Sequence, residues 1–427
     1  MILTISIIFM SVILFFMFRF SIKKMRIELN HYVLFSIGFL YYMLLPIIFG
    51  ELGVMKNRVE FKLWHELYGE INEINIYMYL LFAVAVYFSF FIFSKIGEKY
   101  KPKKNIDNST FHFSKKKLWP LIGLIILIIV YYLVIFSDSF FKGYNSQISN
   151  VAQKGPLISA LQVLLAISLI ITSITTSKNS EFKSYKIINV SFIIYLVGSL
   201  LVLSLGGRLY FISGLFAIIV YISNREKSFN IWIASSLFIF TIILMGLIGV
   251  WRASSINIDS SNVLYNLFQE PIYTSYSLVD FLRTEQHKLI EVPRLLASEF
   301  LNLVPTILAP EKLEYISKPI DFGYHIYNPS GALHAYVSFA INFGLLGSIP
   351  IFGILGLGLG ILKGKTNAFS QTMYSLVSSH LVFTFFRDGF VTSIIKNLFQ
   401  YSILVPILIG LYLIIINKIK CRVESIK

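Results

Sequence analysis

The chain has 427 residues, 56% of them hydrophobic and 14% charged, with a mean hydropathy of +0.73 and a formal net charge of +15. So much apolar surface excludes a soluble globular domain, whose outer face needs more polar atoms than this composition supplies. The single cysteine, Cys421, excludes a disulfide within the chain and a cysteine-based metal site.

The N-terminal run MILTISIIFMSVILFFMF is apolar from its second residue. It lacks a basic n-region and a small-residue cleavage site, so it reads as a retained helix and not as a removed signal. Apolar runs of similar length recur along the chain, each long enough to cross about 30 Å of hydrocarbon. Backbone in lipid must satisfy its own hydrogen bonds, which makes these runs helices. They do not alternate as barrel strands of about 10 residues would. Eleven spans are predicted, at 2–18, 31–50, 74–94, 118–137, 157–177, 187–205, 209–223, 229–250, 332–362, 366–386 and 397–417. The seventh is short and is expected to be tilted or re-entrant. The fold class is therefore all-α polytopic, about 11 transmembrane helices in one integral domain with no internal repeat.

Alternate loops at 19–30, 95–117, 178–186, 224–228, 363–365 and 418–427 hold 23 of the 37 basic residues but 6 of the 22 acids. By the positive-inside rule these loops are cytoplasmic. The N-terminus is then outside and the C-terminus inside, and the largest hydrophilic segment, 251–331, is external. Arg208, Arg252 and Arg387 fall at the outer face. The KPKK and SKKK clusters report topology, with contact to anionic lipid as an added effect. They lack the interleaved aromatics and the carrying domain that nucleic-acid binding needs.

The external segment is too long for a simple connection and too rich in Leu, Ile, Tyr and Phe for disorder. Residues 262–285 and 290–303 carry apolar positions at helical spacing, predicting amphipathic helices on the outer leaflet or over a cavity. Pro305, Pro310, Pro319 and Pro329 then turn the chain. The segment holds Arg283, Arg294, His287, His325, Lys288, Lys312 and Lys318 beside Asp280, Glu285, Glu291 and Glu299.

Arginine suits phosphate because its planar fork donates paired hydrogen bonds and stays charged. Arg208, Arg252, Arg283, Arg294 and Arg387 are thus candidates to surround a lipid-linked pyrophosphate. Each has a plainer reading. Arg208 serves equally as a snorkelling interfacial residue, although Gly206 and Gly207 before it allow close backbone approach. Arg252 follows Trp251 as an interfacial anchor. Arg387 pairs with Asp388 at a helix end, and Arg283 and Arg294 suit solvated helix faces. His334 and His380 read first as hydrogen-bonded structural groups. The glycines of GLLGSIPIFGILGLGLG indicate close helix packing; no strand precedes them, which excludes a nucleotide loop.

Three elements in this order are familiar: LGGRLYF at 205–211, the large external loop, and GALHAYVSFAINFGLLGSIPIFG at 331–353, followed by FFRDG at 385–389. The chain resembles the O-antigen and capsule repeat-unit polymerases (Wzy-type), which share a GT-C-like membrane fold with the O-antigen ligases. The resemblance covers most of the chain in architecture, on short motifs. It implies a metal-independent glycosyltransferase without cofactors, in a bacterial cytoplasmic membrane and acting at its outer face. Such enzymes transfer a growing chain from undecaprenyl pyrophosphate onto the sugar of a fresh lipid-linked repeat unit, sometimes with a chain-length regulator as a partner. The resemblance points to Arg208 and His334 as catalytic residues. Arg208 would steady the leaving pyrophosphate and His334 would take the acceptor proton, with Asp280, Glu285 or Glu291 as alternative bases. Arg252, Arg283, Arg294 and Arg387 would contact phosphate or sugar. No D-x-D pair lies at the outer face, so no metal is expected.

Three rivals remain at this level. A ligase would use the same donor with the lipid A core as acceptor. A flippase for the same unit lacks support from an inverted repeat. A structural scaffold would not need arginines at several external helix ends.

Overall fold

The computed structural model describes residues 1–23, 26–100, 115–137, 155–176, 188–205, 207–226, 229–230, 236, 260–304, 308–329, 332–389 and 391–424. In chain order the helices are α1 (Ile2–Ser21), α2 (His31–Leu52), α3 (Val59–Gly69), α4 (Glu73–Lys99), α5 (Lys115–Ile135), α6 (Gly155–Thr176), α7 (Val190–Ser204), α8 (Arg208–Glu226), α9 (Ser260–Arg283), α10 (Arg294–Glu299), α11 (Ala335–Lys363), α12 (Ala368–His380), α13 (Thr384–Arg387) and α14 (Thr392–Ile419). Seven of these, α1, α2, α4, α5, α6, α11 and α14, are long and apolar enough to cross a membrane. The protein is helical, with the makings of a membrane protein. The predicted span 229–250 lies almost wholly outside the described residues, as does Arg252.

Local chemistry starts several helices. Asn30 caps α2 by accepting from the Tyr32 and Val33 N–H groups at 3.0 and 3.2 Å. Asn72 and Asn189 do the same for α4 and α7. Asparagine is favoured there because its side-chain oxygen satisfies a donor that the helix leaves open.

The chain divides into two compact units. The first comprises Met1–Tyr100, Phe268–Ile361 and His380–Leu398; the second comprises Lys101–Leu267, Leu362–Ser379 and Phe399–Lys427. In the first, α11 lies against α4 through small residues. A Cβ on Gly356 would stand 2.2 Å from the Phe90 carbonyl oxygen, and one on Gly360 2.2 Å from that of Ser94. Glycine lets the two backbones touch. Phe35 stacks on Phe90 with centroids 3.8 Å apart, extending the same packing to α2. The second unit has its own core, in which Leu164, Leu165, Ile167, Leu169 and Ile170 of α6 pack with Tyr195, Ile218 and Leu376. Ser173 and Tyr221 share a hydrogen bond there at 2.6 Å.

Three elements depart from expectation. The segment 262–285 forms a helix, but from Glu270 to Leu282 nearly every residue of α9 is buried, so this stretch does not lie on a leaflet. Its many hydroxyls look polar in sequence yet satisfy themselves: Thr274, Ser275 and Ser277 donate to the carbonyls of Glu270, Ile272 and Thr274. The helix expected at 290–303 is the short α10 followed by a 3-10 turn, Phe300–Leu303. The span expected at 366–386 breaks after His380, and α13 follows a three-residue turn. The carbonyls of Leu381 and Val382 in that turn face Gly38, where a Cβ would approach to 2.4–2.5 Å.

The helix α11 is itself discontinuous. Gly344 has φ 72° and ψ 177°, which opens the helical ladder within NFGLLG. Loop residues 288–291 fill the opening. Leu345 N–H donates to the Lys288 carbonyl (3.0 Å), Leu346 N–H to that of Leu289 (2.9 Å), and Glu291 N–H to that of Phe343 (3.1 Å). Asn342, fully buried, accepts from the Leu296 N–H at 2.8 Å and fixes the start of α10 beside the break.

Candidate functional site

Within the first unit the segments GALHA and FFRDG, more than 50 residues apart, meet. Leu333 and Asp388 form an isolated parallel bridge, and the Gly389 N–H donates to the Leu333 carbonyl at 3.2 Å. Gly389 has φ 65°, a left-handed turn that glycine adopts without strain.

His334, next in line, is fully buried. Its backbone N–H donates to the Ser277 hydroxyl of α9 (3.0 Å). Its Nε2 lies 2.9 Å from the Tyr42 carbonyl of α2, and its Nδ1 accepts the Tyr336 N–H at 3.1 Å. A carbonyl only accepts, so Nε2 carries the proton and Nδ1 the lone pair. The proton-accepting role expected of His334 needs a ring lone pair open to substrate. Here that lone pair caps the first turn of α11; the ring joins α2 to α11, and the His334 backbone N–H adds the bond to α9. His380, also fully buried, bonds Thr384 across the break before α13, Nδ1 to Oγ1 at 3.2 Å.

The joined segments present a charged cluster. Arg387 Nη1 lies 3.0 Å from Glu270 Oε1, and its Nε lies 3.6 Å from Asp388 Oδ1. The Glu270 side chain is 5% exposed, against 30% for Arg387 and 18% for Asp388. Burial pushes the Asp388 carboxyl up to about 6; Arg387 opposes that shift and the Glu270 charge adds to it. The Tyr42 ring stacks over Phe386, centroids 6.4 Å apart. Its hydroxyl is in electrostatic reach of Glu270, Arg387 and Asp388. That hydroxyl is buried and has no hydrogen-bond partner among the described residues.

The other predicted residues are placed as follows. Arg283 bridges two carboxylates, Asp280 at 2.9 Å and Glu70 at 3.0 Å. Asp280 also accepts the Tyr327 N–H at 2.7 Å. This fork ties α9 to the end of α3. Arg294 begins α10 with its side chain exposed. Glu291 accepts from Lys288 Nζ (2.6 Å) and the Tyr324 hydroxyl (2.8 Å); the lysine bond above all holds its carboxyl below the usual range. Glu285 accepts from Asn75 at 3.1 Å. Arg208 belongs to the second unit, where it is the first residue of α8 and partly exposed. Its cation sits at the positive end of a helix, where the dipole disfavours it. Gly207 before it turns the chain, its N–H bonding the Val202 carbonyl at 2.8 Å, and a Cβ there would meet the Val202 side chain at 2.3 Å.

Sequence reading missed Glu270 and Tyr42. A signal for Glu270 existed: it is the only charged residue between Asp259 and Asp280. Tyr42 had none, being one aromatic in an apolar run. Comparisons with protein-family models, curated proteins and solved structures found no match to this chain.

Proposed function

We propose that this protein is a membrane-embedded polymerase that joins undecaprenyl-pyrophosphate-linked oligosaccharide repeat units into a surface polysaccharide. It would work at the outer face of a bacterial cytoplasmic membrane, with the N-terminus outside and the C-terminus inside. The observation that carries the reading is the meeting of GALHA with FFRDG. These are two of the motifs on which the family resemblance rests, and where they meet, Arg387 lies between Asp388 and Glu270 of α9.

In the reaction an acceptor hydroxyl oxygen bonds to the anomeric carbon of the donor chain. The bond from that carbon to the pyrophosphate oxygen breaks, and the leaving group takes the electron pair. Arg208 is assigned to that developing charge. Its unfavourable place at a helix start is explained if an anion meets both the guanidinium and the open N–H groups of the first turn. Arg252 is a further candidate for phosphate, and Arg283 organises its own loop.

One observation favours a second reading, the flippase. Transporters build their sites from discontinuous helices, and α11 is one. Its opened backbone, however, is filled by residues 288–291 of the same chain. The experiment is to delete the gene in its host, restore it as wild type or Arg208→Ala at equal membrane abundance, and separate the surface polysaccharide on a gel. A null strain with single repeat units, and a ladder restored by wild type alone, supports the polymerase. Long polymer retained on the lipid carrier indicates a ligase, and loss of every outward-facing intermediate indicates a flippase.

A further inference from the structure

We propose that Glu270, Arg387, Asp388 and Tyr42 form the subsite for the acceptor sugar, a neutral polyhydroxylated ligand, and that Asp388 takes the proton from its attacking hydroxyl. The inference rests on the polymerase reading and assigns one of its two substrates a place.

Charge decides against phosphate here. Two carboxylates flank the Arg387 guanidinium, so a phosphate approaching it would meet both. A pyrophosphate approaching it would be repelled, at short range and partly desolvated, where Coulomb terms are large. Sugar hydroxyls suit it, since each can donate to a carboxylate and accept from an arginine N–H. An independent observation points to a ligand. The Tyr42 hydroxyl is buried without a hydrogen-bond partner among the described residues, and it lies within reach of all three charged groups. Buried hydroxyls are nearly always bonded, so this one is set to meet a polar group brought into the cluster.

Asp388 is the member placed for proton transfer. It follows Arg387 at the end of α13, and the bridge to Leu333 fixes its backbone. His334 then acts as a positioning residue, holding the Tyr42 backbone and the start of α11 in place. The step balances. The hydroxyl proton goes to the Asp388 carboxylate, the oxygen bonds to the donor anomeric carbon, and the carbon–pyrophosphate bond breaks with its electrons on the leaving group. Among the described residues, Arg387 and Glu270 of α9 act on Asp388, and Tyr42 of α2 interacts with all three.

The test uses full-length protein in lipid nanodiscs, with lipid-linked repeat units extracted from the deletion strain as substrate. Two binding probes accompany it: the free repeat-unit oligosaccharide released by mild acid, and inorganic pyrophosphate. Wild-type rate should rise through about pH 6 as Asp388 ionises. Asp388→Asn should lose kcat by roughly 10²- to 10⁴-fold and lose that limb, and Asp388→Glu should recover part of both. Glu270→Gln should weaken oligosaccharide binding about tenfold and leave pyrophosphate binding unchanged. Asp388→Asn with wild-type kcat, or Glu270→Gln that alters pyrophosphate binding but not oligosaccharide binding, overturns the subsite while polymer formation by wild type leaves the parent reading standing. No polymer from folded wild type overturns both. Should Asp388→Asn fail to fold, the Glu270→Gln binding pair decides alone.

Discussion

Replacing Gly344 by alanine should release residues 288–291 from α11. At φ 72° and ψ 177° the backbone occupies a region that is essentially restricted to glycine, and a side chain there costs about 1–3 kcal/mol. The added Cβ would also stand 2.6 Å from the Ile290 Cα and N and from the Leu289 carbonyl oxygen. These are backbone atoms that cannot swing aside. Residues 288–291 must therefore move, and the three hydrogen bonds across the break go with them, at about 0.5–1.5 kcal/mol each. The total is on the order of 3–6 kcal/mol by those two contributions. Thermal unfolding of the purified variant in detergent measures it, and limited proteolysis should show new cleavage within 284–293. Gly358→Ala is the control, because nothing lies within 4 Å of its Cβ position. If Gly344→Ala unfolds with wild type and resists protease equally, residues 288–291 do not seal this helix.

His334→Ala should lower thermal stability by about 2–5 kcal/mol, since it leaves the Tyr42 carbonyl and the Tyr336 N–H unpaired in the interior; unfolding midpoints equal to wild type would reassign the residue to chemistry alone. Arg208→Ala should abolish polymer at wild-type membrane abundance; a polysaccharide gel run beside a membrane immunoblot checks both. Glu299 is buried in α10, and burial raises its carboxyl to about 7. The folded state then holds a proton that the unfolded state releases near 4.5, so this group's stabilisation is full below pH 4.5 and is lost as pH rises to 7. Glu299→Gln should gain on the order of 3 kcal/mol over wild type at pH 8, and parallel stability–pH curves for the two proteins would contradict this.

Much of the helical architecture is legible in the sequence, because an apolar run of 20 residues has few alternatives in lipid. The short-range punctuation is less so. SSHLVFTFF carries no proline or glycine, yet α12 ends at His380, and the carbonyls of the turn that follows pack where only a glycine, Gly38, leaves room. Gly344 lies in a glycine-rich apolar pattern whose other members pack helices, and nothing local marks it as the one that opens the ladder. The helix α9 misleads because Ser and Thr count as polar although the Thr274, Ser275 and Ser277 hydroxyls bond back to their own helix. Candidate site residues are legible as residue types and not as partners. Arg387 and Asp388 stand out as charges in an apolar stretch, but Glu270 joins them from more than 100 positions upstream. His334 attracts attention for chemistry, and its ring turns out to bond two backbone groups.

The most direct measurement of the central claim is reconstitution. Purified full-length protein in lipid vesicles would receive undecaprenyl-pyrophosphate-linked repeat units as the only substrate, and the products would be resolved by length. The account predicts carrier-linked oligomers spaced by one repeat unit, with one undecaprenyl pyrophosphate released for each bond formed. Repeat units that cross the bilayer and stay monomeric would contradict it.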